Sequence, residues 1–211
     1  MVFSVGGWIH LRSMAVEKAV SQTEGRIIVC PLFSMLGAGY MLVEIVLMQR
    51  FILFLGYPTR ALSVTLFSLL LSSGIGSFVS SLVDRKKITR VILFACGLIV
   101  LLVSIHSLLL PQLLTTLLQL ETTARAIVTF VFIFPLGFLL GMPFPTGLRI
   151  LGEKSGKEVL WMWAINGGFS VFGAVIATAI GIMWGLNYAL LLGATAYFAA
   201  LLCAWNLGKS E

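Results

Sequence analysis

The chain has 211 residues, of which 59% are apolar and 10% charged, against roughly 45–50% and about 25% in ordinary soluble domains. These proportions exclude a soluble globular protein and point to an integral membrane protein. Fourteen Lys and Arg against eight Asp and Glu give a net charge of +6. The basic residues cluster in short breaks between long apolar runs, so the matching polyanion is an anionic lipid surface and not nucleic acid.

At the N-terminus the apolar run 2–9 is too short to span a bilayer and lacks the basic stretch that precedes a signal-peptide core. Residues 1–26 therefore read as a juxtamembrane segment. A bilayer core about 30 Å thick needs about 20 residues at about 1.5 Å each. Six uncharged or nearly uncharged stretches of that length follow, at residues 27–48, 61–83, 88–110, 124–147, 159–184 and 187–206. They lack the in–out alternation of a membrane barrel strand, so the expected fold is all-α, a polytopic bundle of six transmembrane helices.

The first span carries Glu44 among Val43, Ile45, Val46 and Leu47. A carboxylate at that depth costs on the order of a few kcal/mol, so it should be paired, protonated or facing a polar cavity. Tyr40, one turn back, is placed to share a hydrogen bond with it. This site reads either as a proton or cation site or as a buried carboxyl that fixes packing. Gln49, Arg50, Gly56, Pro58 and Arg60 then interrupt the apolar pattern. Arg50 lies six residues from Glu44, the wrong spacing for a direct pair on one helix. It reads as an interfacial anchor whose head snorkels to phosphate, or as the partner of a group on another span.

The second span repeats small residues at intervals of four, Ser68, Ser72, Gly76 and Ser80, which suits close helix packing. Its Gly74-Ile-Gly76 lies inside an apolar helix with no preceding strand, so it is no dinucleotide fingerprint. The third span carries His106. A lone intramembrane histidine can ligate a metal or a porphyrin-type pigment, but no second ligand is visible nearby, and it reads as a hydrogen-bonded helix residue. Neither cofactor nor metal is expected. Cys30, Cys96 and Cys203 lie in apolar runs without metal or redox spacing, and read as packing residues.

The fourth span contains Pro135, a Gly137/Gly141 pair at helix-contact spacing, and the prolines Pro143 and Pro145. Two prolines two residues apart resist a regular helix, so this span should kink or unwind near its end. Broken helices line substrate sites in transporters, which makes the break a candidate site. On the fifth span Trp163, Asn166 and Ser170 form a polar stripe, and Gly173, Ala177 and Gly181 a small-residue stripe. On the sixth, Ala196, Ala200 and Ala204 do the same.

With the N-terminus placed in the cytoplasm, that side receives eleven basic residues: Arg12, Lys18, Arg26, Arg85, Lys86, Lys87, Arg90, Arg149, Lys154, Lys157 and Lys209. The other side receives only Arg50, Arg60 and Arg125. The positive-inside rule thus places both termini in the cytoplasm. Residues 27–206 form one transmembrane domain, 207–211 a short tail, and no hydrophilic stretch is long enough for a second domain.

Three stretches resemble the transmembrane part of bacterial spermidine synthase-like membrane proteins, in which an aminopropyltransferase-type domain is joined to membrane helices. They are Gly39-Tyr-Met-Leu-Val-Glu-Ile-Val-Leu-Met-Gln-Arg-Phe-Ile-Leu-Phe-Leu-Gly-Tyr-Pro, Gly141-Met-Pro-Phe-Pro-Thr-Gly-Leu-Arg and Trp163-Ala-Ile-Asn-Gly-Gly-Phe-Ser-Val-Phe-Gly. The loop Ser80-Ser-Leu-Val-Asp-Arg-Lys-Lys also resembles a degenerate form of the major-facilitator loop between second and third helices. The resemblance implies half of a facilitator-like fold in the bacterial inner membrane. It implies too that Glu44, Gln49, Arg50, Pro143, Pro145, Trp163 and Asn166 form a common membrane site. The catalytic motifs of the soluble domain are absent, so no catalytic residue carries over and the chain alone is not expected to be an enzyme. The expected role is a non-catalytic subunit or scaffold that pairs with itself or another membrane protein. The alternatives are a transporter half for a small solute or polyamine-like cation using Glu44, and an anchor for a separately encoded soluble synthase.

Overall fold

The computed structural model describes residues 5–150 and 156–209, with side chains described over 29–150 and 158–209. These residues form seven α-helices, with short 3-10 turns at Arg85–Lys87 and Leu117–Gln119, and no strand among them. Helix α1 covers Val5–Leu55, α2 Pro58–Ser81, α3 Ile88–Thr116, α4 Thr122–Leu140, α5 Pro143–Ile150, α6 Gly156–Met183 and α7 Leu186–Lys209. Six spans are long and apolar enough to cross a membrane: Val29–Leu55, Pro58–Ser81, Arg85–Gln119, Thr122–Ile150, Glu158–Met183 and Leu186–Lys209. Each overlaps one of the six stretches expected from composition.

From Val5 onward the segment before residue 27 is continuous with the first span in a single helix of 51 residues, about 75 Å long at about 1.5 Å per residue. The fourth span is broken where the proline pair lies: α4 ends at Leu140, Gly141 and Met142 leave the helix, and α5 restarts at Pro143. Proline is well placed there, because the first turn of a helix has no use for its missing N–H. Two turns depend on glycine. Gly56 (φ 80°) and Gly185 (φ 99°) lie in the left-handed region just after α1 and α6, a conformation that other residues enter at a steric cost.

Helix α1 is the hub. It packs along α6 and α7 on one side and against α2 on the other, while α7 packs on α3, and α4 on α2 and α3. The helices α1, α7, α3, α4 and α2 thus close a ring around the main apolar core, in which Val43, Val46, Phe51, Ile92, Ile99, Ile133 and Tyr197 are buried. Helix α6 lies outside that ring, against α1 and α7. Only 11% of its most apolar stretch is buried within the chain, against 56% for the first span.

The small-residue stripes sit where backbones meet. A Cβ at Gly76 on α2 would overlap the Phe138 carbonyl of α4, one at Gly137 the Ser72 hydroxyl, and one at Gly141 the Ser73 carbonyl. Ser68, Ser72 and Ser80 are fully buried in the same seam. On α6, Gly173 abuts the Ala38 backbone of α1, and Ala177 is buried with Leu42 and Ala196 where α1, α6 and α7 meet. Contact by small residues replaces the hydrophobic driving force that lipid removes.

Candidate functional site

The residues singled out in the sequence fall in three places along α1. At one end, Phe144 of α5 meets Trp163 edge-on at 4.8 Å and Phe33 of α1 at 5.5 Å. Asn166 donates its side-chain amide to the Phe33 carbonyl at 3.1 Å. Ser170 reaches both the Gly37 carbonyl (3.3 Å) and the Asn166 carbonyl (2.8 Å). A Cβ at Gly37 would overlap the Asn166 backbone. The stripe of Asn166 and Ser170 therefore fastens α6 to α1 by spending its polar groups on the α1 backbone. Pro143 is buried and Pro145 half-buried within this cluster's end of the fold, and Thr146 closes the restarted helix by donating to the Met142 carbonyl at 2.5 Å.

Eleven residues beyond Phe33, about 16 Å along the helix, lies Glu44. Tyr40, one turn before it, is half-buried against the main apolar core. Glu44 itself is half-buried and joins no cation among the described residues. Gln49 turns toward α6, where its carbonyl oxygen lies 3.3 Å from the position a Cβ on Gly181 would take.

Arg50 is a further turn and a half along, near the end of α1. The expectation of a snorkelled anchor is corrected here: Arg50 is only 6% exposed, and its Nη2 donates to Oδ1 of Asn187 at the start of α7. A partner lies ready on another helix, so the side chain turns into the bundle and not outward. Its Nε is buried with no hydrogen-bond partner among the described residues. The guanidinium borders a cavity of about 430 Å³ walled by Leu53, Leu114, Leu118 and Trp184, with Asn187 and Tyr188 beside it. The residues implied to share one site fall in two groups, Trp163 and Asn166 beside Phe33 with the Pro143–Pro145 turn, and Glu44, Gln49 and Arg50 farther along α1. Arg50 and Phe33 are separated by 17 positions on one rigid helix, about 25 Å at a rise of about 1.5 Å.

His106 is buried, with Nδ1 2.8 Å from the Leu102 carbonyl and Nε2 3.2 Å from the Phe132 carbonyl. Both ring nitrogens thus face backbone of α3 and α4, and no cluster of three metal-ligating side chains occurs among the described residues. The three cysteines are free thiols. Two arginines that had entered only the charge count have structural roles. Arg149 of α5 donates to the Ser80 carbonyl at 2.8 Å and the Val83 carbonyl at 2.7 Å, satisfying the end of α2. At the opposite end of the bundle Arg125 donates to the carbonyls of Leu120 (2.9 Å), Phe54 (3.2 Å) and Leu118. Asn187, too, had been read only as the start of the sixth span. Its position two residues after a turn glycine is the sequence signal that could have marked it.

No known family, curated protein or solved structure matches the chain.

Proposed function

We propose that the chain is a non-catalytic integral membrane subunit or scaffold, half of a facilitator-like arrangement, completed by a second copy or by another membrane protein. The observation that carries this reading is the one-sided packing of α6. Beyond its contacts with α1 and α7, this helix exposes Trp161, Trp163, Val171, Phe172 and Val175. It also exposes Gly167 and Gly168, beside which a Cβ would meet nothing. A span with a bare glycine pair facing outward can bring another helix backbone close, the usual device of association in lipid. The 11 to 3 distribution of basic residues supports placement in the inner membrane with both termini cytoplasmic. The stretches at 39–58, 141–149 and 163–173 support kinship with the membrane part of spermidine synthase-like proteins. Purification in mild detergent, with molar mass from light scattering and identification of what co-elutes, tests the reading. A dimer or a stoichiometric membrane partner is expected, and a clean monomer overturns it. A co-eluting soluble synthase would replace it with the anchor role.

A second reading rests on Glu44, an acidic side chain in mid-span that pairs with no cation among the described residues. In a transporter half, such a group carries a proton or a cation. Glu44→Gln in proteoliposomes is then expected to abolish pH-coupled uptake of a polyamine-like cation. Unchanged flux removes Glu44 from any transport mechanism.

A further inference from the structure

We propose that the cavity between Arg50, Asn187 and the α6–α7 turn binds an anionic amphiphile: an oxyanion head, phosphate or carboxylate, on a hydrocarbon chain. The inference is independent of which protein partner covers α6.

The charge is the first reason. Guanidinium carries five N–H donors and no acceptor, and each arginine at the helix ends spends them differently. Arg125 directs three nitrogens at backbone carbonyls, and Arg149 two. Among the described residues Arg50, 6% exposed, makes a single bond, to Asn187, and leaves Nε buried without a partner. No carboxylate lines the cavity it borders. A buried cation with no counter-charge among the described residues is expensive, and an oxyanion in the cavity would supply that charge and accept from the part of the guanidinium that lines the wall, Nε itself being sealed off.

The wall is the second reason. The cavity, about 430 Å³, falls in the size range of small-molecule sites, about 300–1,000 Å³. Apart from Arg50 and Asn187 its surface is chiefly that of Leu53, Leu114, Leu118 and Trp184, which suits hydrocarbon and not a hydrated free anion. Its depth also fits. Arg50 lies five residues before the end of α1, about 7–8 Å inside that end, while Trp184 and Tyr188 are exposed at the mouth, as aromatic side chains are at a membrane interface. A lipid head drawn to that level could reach the guanidinium while its chain lies along the leucines.

Decyl phosphate is a suitable probe, with inorganic phosphate and decanol as competitors, against the full-length protein in an uncharged maltoside detergent. Saturable binding of radiolabelled decyl phosphate is expected, weakened at least about tenfold in Arg50→Gln through loss of the charge-assisted bonds and less in Arg50→Lys. Thr115 is exposed on the cavity wall, so Thr115→Trp fills the space while leaving Arg50 and Asn187 in place, and it is expected to block binding. Inorganic phosphate competing as strongly as the amphiphile would make this a free-anion site and overturn the proposal. Decanol competing equally would overturn the role of the charge. Undiminished binding to Thr115→Trp rejects the cavity even if Arg50→Gln does not fold.

Discussion

Arg50, Arg125 and Arg149 donate to amide and backbone carbonyls contributed by other parts of the fold. Arg149 shows what one such residue contributes. The Ser80 carbonyl at the end of α2 accepts a long turn bond from the Val83 N–H (3.4 Å), and the forked Arg149 guanidinium donates both to it and to the Val83 carbonyl just past the helix. Arg149→Ala is expected to cost roughly 2 kcal/mol, since hydrogen bonds to charged groups are worth about 1.5–3. Hydrogen exchange at residues 80–84 should quicken accordingly, with Arg149→Lys recovering part of the protection because one ammonium cannot fork to both carbonyls. Unchanged exchange would remove the capping role. The need of each buried charge for compensation was legible in the sequence, which is why Glu44 and Arg50 stood out. The identity of the compensating group was not. Asn187 lies 137 residues from Arg50, and no periodicity within one helix can report a partner on another.

Among the elements, α2 and α4 offer the sharpest test of packing by small residues. Two glycines on α2 differ in surroundings: Gly76 faces the Phe138 carbonyl of α4, while Gly74 faces open space. Gly76→Ala should force the helices apart and destabilise the protein by about 1–3 kcal/mol, as overpacking does. Gly74→Ala should be neutral or slightly stabilising, since glycine inside a helix costs roughly 0.5–1 kcal/mol relative to alanine. Thermal unfolding in detergent separates the two, and equal shifts would show that the seam tolerates a methyl group. The stripe itself was legible because an interval of four marks one helical face. The break of the fourth span was legible from Pro143 and Pro145. Which helix each stripe meets was hidden, because that depends on the order of helices around the ring.

At the scale of the molecule, composition sufficed for six spans because length and apolarity are the whole requirement for crossing a bilayer. Burial was less legible. The fifth stretch is as apolar as the first, with mean hydropathy 1.7 for both, yet one is the hub of the bundle and the other lies at its margin. In lipid both environments select the same side chains, so hydropathy cannot tell core from periphery. If the exposed face of α6 is an assembly surface, Gly168→Leu should convert the oligomer seen by light scattering to monomer while leaving thermal unfolding of the monomer nearly unchanged. A retained oligomer would locate the interface elsewhere. Residues 33, 44 and 50 lie at separate levels of α1, so lesions at these levels should act independently and not as one coupled site.

The hub helix comes first in the chain, and two of its principal neighbours, α6 and α7, come last. During biosynthesis at about 5–20 residues per second, the 137 residues between Arg50 and Asn187 take roughly 7–30 s to appear. Over that interval the Arg50 guanidinium lacks the Asn187 amide, and the flank of α1 that α6 and α7 come to cover is open. A ribosome stalled before Leu186 would hold a chain that has entered the membrane but cannot close its ring, the form in which a cell's quality-control proteases would meet it.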